Sequence, residues 1–128
     1  MALSAAQSLS LIRRIVAATL LIHGAARIAH SGVSPFGEFL AGQGIPFGFA
    51  LAWAISIFEV IGGIALWLGR FVRPVAWLFA GQLAAGVALV HAREGWFVVG
   101  LGRNGMEFSV LLIGCLVALA LAHGPARK

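Results

Sequence analysis

Five ionisable side chains interrupt the apolar runs of this sequence, and their types indicate hydrogen-bonding and acid–base chemistry. They are His23, Arg27, Glu59, His91 and Glu107. A charged group inside a lipid bilayer is tolerated when it pairs with another group or reaches water. One guanidinium can bind two carboxylates, so we expect Arg27 to bridge Glu59 and Glu107. The five side chains would then form a polar cleft, where a carboxylate and a histidine exchange protons with a small ligand.

Helix geometry supports a cleft in the outer half of the membrane. His23 and Glu59 each lie about 15 Å from the cytoplasmic end of the predicted helix that carries it, so the two have a similar depth. Arg27 and His30 continue the face of His23 toward the outer surface, because residues at i, i+4 and i+7 share one side of a helix. Trp53, far from both membrane surfaces, is a candidate for lining a cavity.

Each residue also has a purely structural interpretation. Arg27 and Glu59 could form an ion pair that only fixes helix packing, and His23 could be a hydrogen-bonded core histidine. Glu107 follows Asn104 by three residues, which is the spacing of a capping box at a helix start. The sequence alone leaves these alternatives open.

Other reactive residue types give weaker signals. His91 lies close to Arg93 and Glu94 and could belong to the polar rim of the membrane. The histidines and Glu107 lack the ligand spacing of a metal site, so we predict none. The single cysteine, Cys115, lies within an apolar run and excludes a disulfide within the chain.

Small residues predict where helices pack closely. Gly62, Gly63, Gly81 and Ala85 stand at near-helical spacing and would let neighbouring backbones approach. Gln82, the one strongly polar residue inside its apolar run, is expected to form a hydrogen bond between helices.

The composition places these segments in lipid. Of 128 residues, 61% are hydrophobic and 10% are charged, against about 25% charged residues in soluble domains, and the mean hydropathy is +1.01. So few charged side chains cannot cover a soluble domain of this size. The net charge of +5 does not indicate a nucleic-acid partner, because the arginines stand singly or in pairs at the edges of apolar runs. The lipid bilayer is the predicted partner.

The apolar runs predict an all-α fold: an integral membrane four-helix bundle that forms one domain over residues 1–128. The predicted spans are residues 11–29, 47–68, 74–91 and 104–123. Between the first two spans, Ser34 and Pro35 match the N-cap and first position of a short amphipathic helix. We expect that helix to lie along the membrane surface.

The distribution of basic residues predicts the orientation in the membrane. One side holds Arg13, Arg14, Arg70, Arg73, Arg127 and Lys128, and the other holds Arg27, Arg93 and Arg103. Loops rich in Lys and Arg face the cytoplasm. Both termini are therefore predicted to be cytoplasmic.

Several short motifs, in this order and spacing, resemble the DoxX family of small four-helix membrane proteins over nearly the whole chain. In the first half these are His23-Gly24 with Arg27, Gly44-Ile45-Pro46, and the run from Phe58 to Gly69 followed by Arg73. In the second half they are His91, Gly95-Trp96-Phe97 and Gly105-Met106-Glu107.

The resemblance implies a multi-pass protein of the bacterial inner membrane that is associated with oxidoreductases, as an accessory subunit of a quinone- or sulfur/thiol-linked redox system. It implies no enzyme activity for the chain on its own, and a quinone is the cofactor that the polar cleft would hold. Two alternatives remain: a structural or assembly partner of a larger membrane complex, and a small-molecule or proton carrier acting as a homo-oligomer.

Overall fold

A computed structural model describes residues 2–100 and 104–124, and every regular element there is helical. The elements are α1 (Ala5–Ala29), α2 (Val33–Gly42), α3 (Gly48–Trp67), α4 (Val72–Gly86), a π-helical stretch (Val87–His91), α5 (Ala92–Glu94) and α6 (Glu107–Ala122). The predicted all-α fold with a short helix after the first span is thus confirmed. Arg103, Arg127 and Lys128, which entered the orientation prediction, lie outside the described residues.

Three of the helices are long and apolar enough to cross a bilayer. They are Ala5–Ala29, Gly48–Trp67 and the continuous run Val72–Glu94, while α6 is a shorter apolar helix of 16 residues. Large apolar side chains on several of these helices are exposed, as lipid contact requires. The chain is an integral membrane protein.

Helix α1 begins at Ala5, about six residues before the predicted start of the first span. The Ser4 backbone N–H donates to Gln7 Oε1 at 2.9 Å, and the Gln7 N–H donates to Ser4 Oγ at 3.3 Å. This reciprocal pair is a capping box, which supplies partners to N–H groups that a helix start leaves unpaired. The cap extends the helix beyond its apolar run.

Helices α2 and α6 also begin at positions that differ from the prediction. The Gly32 carbonyl already accepts the Phe36 N–H at 3.2 Å, so α2 begins at Val33, and the predicted N-cap at Ser34 is wrong. Asn104 has a left-handed conformation with φ +64°, but it lies two residues before Met106, the N-cap of α6, and the helix begins only at Glu107. The alternative interpretation of Asn104 and Glu107 as a capping box is therefore wrong, because Met106 and not Asn104 is the N-cap.

The described chain forms two compact units, and its organisation as one domain stays a prediction. The first unit is Ala17–Arg70. In it α2 packs on α3, with Val33, Leu40 and Ala52 buried. Glycines allow the contact, because a Cβ built on Gly48 would lie 2.5 Å from the Gly37 carbonyl oxygen.

The second unit combines the N-terminal residues up to Val16 with the chain from Phe71 onward. Here α4 packs on α6. The buried side chains of α4 are Val72, Ala76, Phe79 and Ala80, and those of α6 include Leu112, Leu116 and Leu119. Their spacing of three and four residues places each set on one side of its helix.

Candidate functional site

An ion pair between α1 and α3 forms the polar centre of the first unit. Arg27 Nη1 donates to Glu59 Oε2 at 2.9 Å, and Arg27 Nη2 lies 3.4 Å from Glu59 Oε1. The guanidinium and the carboxylate thus meet side by side through two parallel N–H···O contacts, the geometry that gives Arg–carboxylate pairs their specificity. The predicted pairing of Arg27 with Glu59 is confirmed.

Two further side chains hold the guanidinium in place. Arg27 Nη1 also donates to Ser56 Oγ at 3.2 Å, while the Ser56 hydroxyl donates to the Ala52 carbonyl at 2.7 Å. The centre of the Arg27 guanidinium lies 4.7 Å from the centroid of the Phe36 ring on α2, within reach of a cation–π interaction. Carboxylate, hydroxyl and ring together fix the position of Arg27.

A glycine on α1 makes room for this pair. A Cβ built on Gly24 would lie 2.6 Å from Glu59 Cβ and 2.9 Å from the Ser56 carbonyl oxygen, closer than real Cβ contacts come. Gly24 therefore lets α1 approach α3 at the level of the ion pair. Gly63 on α3 also permits a close approach of the two helices, about one turn away, because a Cβ built on it would lie 2.9 Å from Leu21 Cβ.

The pair is largely buried, and Arg27 is its more exposed member. The Glu59 side chain is 5% exposed and the Arg27 side chain 15%. A guanidinium carries five N–H groups, and the contacts to Ser56 and Glu59 use at most three of them. At least two N–H groups of Arg27 therefore make no hydrogen bond to any described residue.

Glu107 is engaged within the second unit. Its Oε1 accepts the backbone N–H groups of Val98 at 2.7 Å and Val99 at 3.2 Å. The Glu107 N–H itself donates to the Trp96 carbonyl at 2.9 Å. The side chain thus ties the loop before α6 to the first residue of that helix, and the bridge from Arg27 to Glu107 stays a prediction.

His91 holds the other end of the same loop. Its Nδ1 lies 2.8 Å from the Asn104 carbonyl oxygen, and because a carbonyl can only accept, Nδ1 carries the proton of this bond. Gly105 can pack against the backbone of Trp96 and Phe97 because it has no Cβ, which would lie 2.5 Å from both carbonyl oxygens. The side chains of His91 and Glu107 therefore both stabilise this loop through hydrogen bonds to its backbone.

The remaining candidates are more exposed than the sequence indicated. His23 and His30 are exposed, so the interpretation of His23 as a core histidine is wrong. Trp53 is 38% exposed. Gln82 is half-buried on α4.

The predicted packing residues divide into two pairs. Gly62 and Gly63 are buried on α3. Gly81 and Ala85 are exposed, and a Cβ built on Gly81 would meet no described atom within 4 Å. The close helix contact predicted for Gly81 is therefore absent from the described part of the chain.

Metal ligands do not cluster in the described residues. Within residues 2–100 and 104–124, no group of three or more His, Cys, Asp or Glu side chains is arranged to hold a metal ion. Cys115 is half-buried and has a free thiol.

Sequence reasoning missed two members of the site. Ser56 lies three residues before Glu59 and so lies on the same face of the helix. A polar residue at that position of an apolar span is a signal from which its contact with Arg27 could have been predicted. The contribution of Phe36 had no such signal, because it depends on how α2 folds back on α3.

The helices and the embedded ion pair define a helical integral membrane protein with a paired arginine inside its spans. The sequence profile of the DoxX family matches residues 8–92, which is more than half of the chain and includes both members of the pair. The chain therefore belongs to the DoxX family. Neither the curated proteins nor the solved structures with which it was compared gave a match.

Proposed function

We propose that this protein is an accessory membrane subunit of a redox complex in the bacterial inner membrane, and that Arg27 donates hydrogen bonds to the polar head of a quinone-like ligand. The single observation that carries the proposal is the state of Arg27. Its charge is balanced by Glu59 and its position is fixed, yet at least two of its N–H groups have no described acceptor.

These properties suit a neutral ligand with carbonyl acceptors. A balanced charge does not demand an anion, so the N–H groups of Arg27 that have no described acceptor can serve a carbonyl oxygen. Hydrogen bonds to a charged donor are about twice as strong as those between neutral groups, and a low dielectric strengthens them further.

The chain itself is assigned a positioning role. With Cys115 as its only cysteine, it cannot form a dithiol couple on its own. Electrons would therefore pass between the ligand and a partner protein, while this chain orients the ligand. Both termini would be cytoplasmic, with the ion pair in the outer half of the membrane.

The test measures quinone that co-purifies with the protein in mild detergent. Wild type, Arg27→Lys and Arg70→Lys are purified in parallel, extracted with organic solvent and analysed by mass spectrometry. Lys keeps the positive charge but lacks the planar fork of N–H groups. Arg70→Lys is the matched control, because it makes the same replacement at an exposed arginine outside the ion pair.

We expect wild type and Arg70→Lys to retain near-stoichiometric quinone and Arg27→Lys to retain about tenfold less, as the loss of a charge-assisted hydrogen bond predicts. Equal retention in Arg27→Lys, or none in wild type, would contradict the ligand role.

A second function is favoured by the same site. The pair is 5% and 15% exposed and stacked on Phe36, so it could serve only to fix α1, α2 and α3 for binding a larger membrane partner. In that case purification would yield a stoichiometric protein partner and no quinone. Arg27→Lys would then weaken partner binding and leave the lipid extract unchanged.

A further inference from the structure

The loop between α5 and α6, in the second unit, carries an exposed run of apolar side chains. Trp96, Phe97, Val98 and Val99 are all exposed, and Val99 is the most exposed of them at 78%. Apolar patches of this kind mark surfaces that contact lipid or protein. The loop follows directly on Val72–Glu94, a helical run long and apolar enough to cross a bilayer, so the patch lies at a membrane surface.

Helix α6 is too short to cross the hydrocarbon core by itself. Its 16 residues extend over about 24 Å, while the core is about 30 Å thick. The exposed apolar surface continues from the loop into the helix, where Phe108 and Leu111 are exposed in the first two turns. The loop therefore extends the lipid-facing surface of α6 at the end where the helix itself stops.

Hydrogen bonds within the loop suit its backbone to a medium with little water. Backbone N–H groups need partners within the protein wherever water is scarce. Glu107 Oε1 accepts the N–H groups of Val98 at 2.7 Å and Val99 at 3.2 Å, and the Trp96 carbonyl accepts the Glu107 N–H at 2.9 Å. The two most apolar positions next to the loop tip thus keep their donors paired without water.

We infer that the side chains of Trp96 to Val99 enter the boundary between lipid head groups and acyl chains, and that Glu107 permits this by pairing the backbone of the loop. Tryptophan is enriched at this depth, because its ring is apolar and its indole N–H can bond to head groups. Apolar side chains of interfacial segments enter lipid by about 5–10 Å. The ligand of this surface is therefore a lipid layer, and the loop fixes the depth at which α6 begins.

The test places an environment-sensitive fluorophore on single cysteines of the full chain, reconstituted alone in phosphatidylcholine liposomes. Cys115→Ala removes the native thiol, and Val99→Cys or Phe97→Cys then carries the label in the loop. The matched control is Glu94→Cys, an exposed position at the end of the preceding helix. Each label is quenched from water by iodide, and from lipid by phosphatidylcholine with a nitroxide on its acyl chain close to the head group.

We expect the nitroxide lipid to quench labels at positions 97 and 99 while iodide quenching is lost, and the reverse at position 94. Labels in the loop that iodide quenches as strongly as the control would overturn the inference, because a surface kept for a protein partner would stay in water here. Labels that neither agent quenches would also overturn it, since they would place the loop against a second copy of the chain.

A further variant tests the part assigned to Glu107. Glu107→Ala, added to the labelled Val99→Cys protein, leaves the Val98 and Val99 N–H groups without their acceptor. These groups then need water, so we expect iodide quenching at position 99 to return to the level of the control. Quenching by the nitroxide lipid that is unchanged in this variant would contradict the role of Glu107.

Discussion

Gly24 makes a demanding prediction, because the contact it permits also holds the ion pair. A Cβ at this position would lie 2.6 Å from Glu59 Cβ, and ordinary contact begins at 3.4 Å. The nearest obstacles are the Cβ of Glu59 and the Ser56 carbonyl oxygen, neither of which can move without its helix. In Gly24→Ala, α1 and α3 must therefore separate locally by about 0.8 Å.

Such a shift should break the weaker half of the ion pair. The contact from Arg27 Nη2 to Glu59 Oε1 is already 3.4 Å long and cannot lengthen and remain a hydrogen bond. Inserting a methyl group into a packed contact destabilises by about 1–3 kcal/mol. We expect Gly24→Ala to lower the free energy of unfolding by this amount.

The assay is equilibrium unfolding in mixed micelles with increasing sodium dodecyl sulfate, followed by circular dichroism. The matched control is Gly81→Ala, another helix glycine replaced by alanine, where a Cβ would meet no described atom within 4 Å. We expect the control to be as stable as wild type or slightly more stable, because alanine is the better helix former. If Gly24→Ala unfolds at the same detergent fraction as Gly81→Ala, the close approach of α1 and α3 is refuted.

Two further predictions test the buried pair and the loop before α6. Glu59→Gln should lower the free energy of unfolding by about 3–5 kcal/mol in the same assay, because it leaves the Arg27 charge without its partner. The double variant Arg27→Gln with Glu59→Gln should lose less stability than Glu59→Gln alone. A double variant that is no more stable than Glu59→Gln would argue against the pair. Glu107→Ala should speed hydrogen exchange at the Val98 and Val99 amides about 10- to 100-fold, since it removes the charge-assisted hydrogen bonds that they donate. The control variant Glu94→Ala should leave the exchange rates of both amides unchanged.

The sequence predicted the helices of this protein more accurately than the residues at which they begin and end. Apolar runs of sufficient length identify the membrane helices, and two ionisable residues inside such runs must find each other or reach water. That constraint was enough to predict the pair of Arg27 and Glu59. It does not predict the observed hydrogen bonds of Glu107, because their donors are backbone N–H groups that any sequence carries.

The remaining differences between prediction and structure arise from backbone conformations that the residue types do not predict. Phe47 and Phe71 precede α3 and α4 with φ +58° and +52°, a region normally left to glycine and asparagine. The exposed position of His23 depends on which side of α1 packs within the chain. A single polar residue in an apolar run does not determine that side.

The π-helical stretch at Val87–His91 has a consequence for comparing this chain with its relatives. A π turn closes its hydrogen bonds over five residues instead of four, so it holds one residue more than an α turn. Everything after it is rotated by roughly 100° about the helix axis relative to an uninterrupted helix. A helical wheel drawn through α4 therefore loses its phase at Val87, and a relative with an uninterrupted α-helix here would carry the residue that faces the equivalent of Asn104 one position earlier in its sequence.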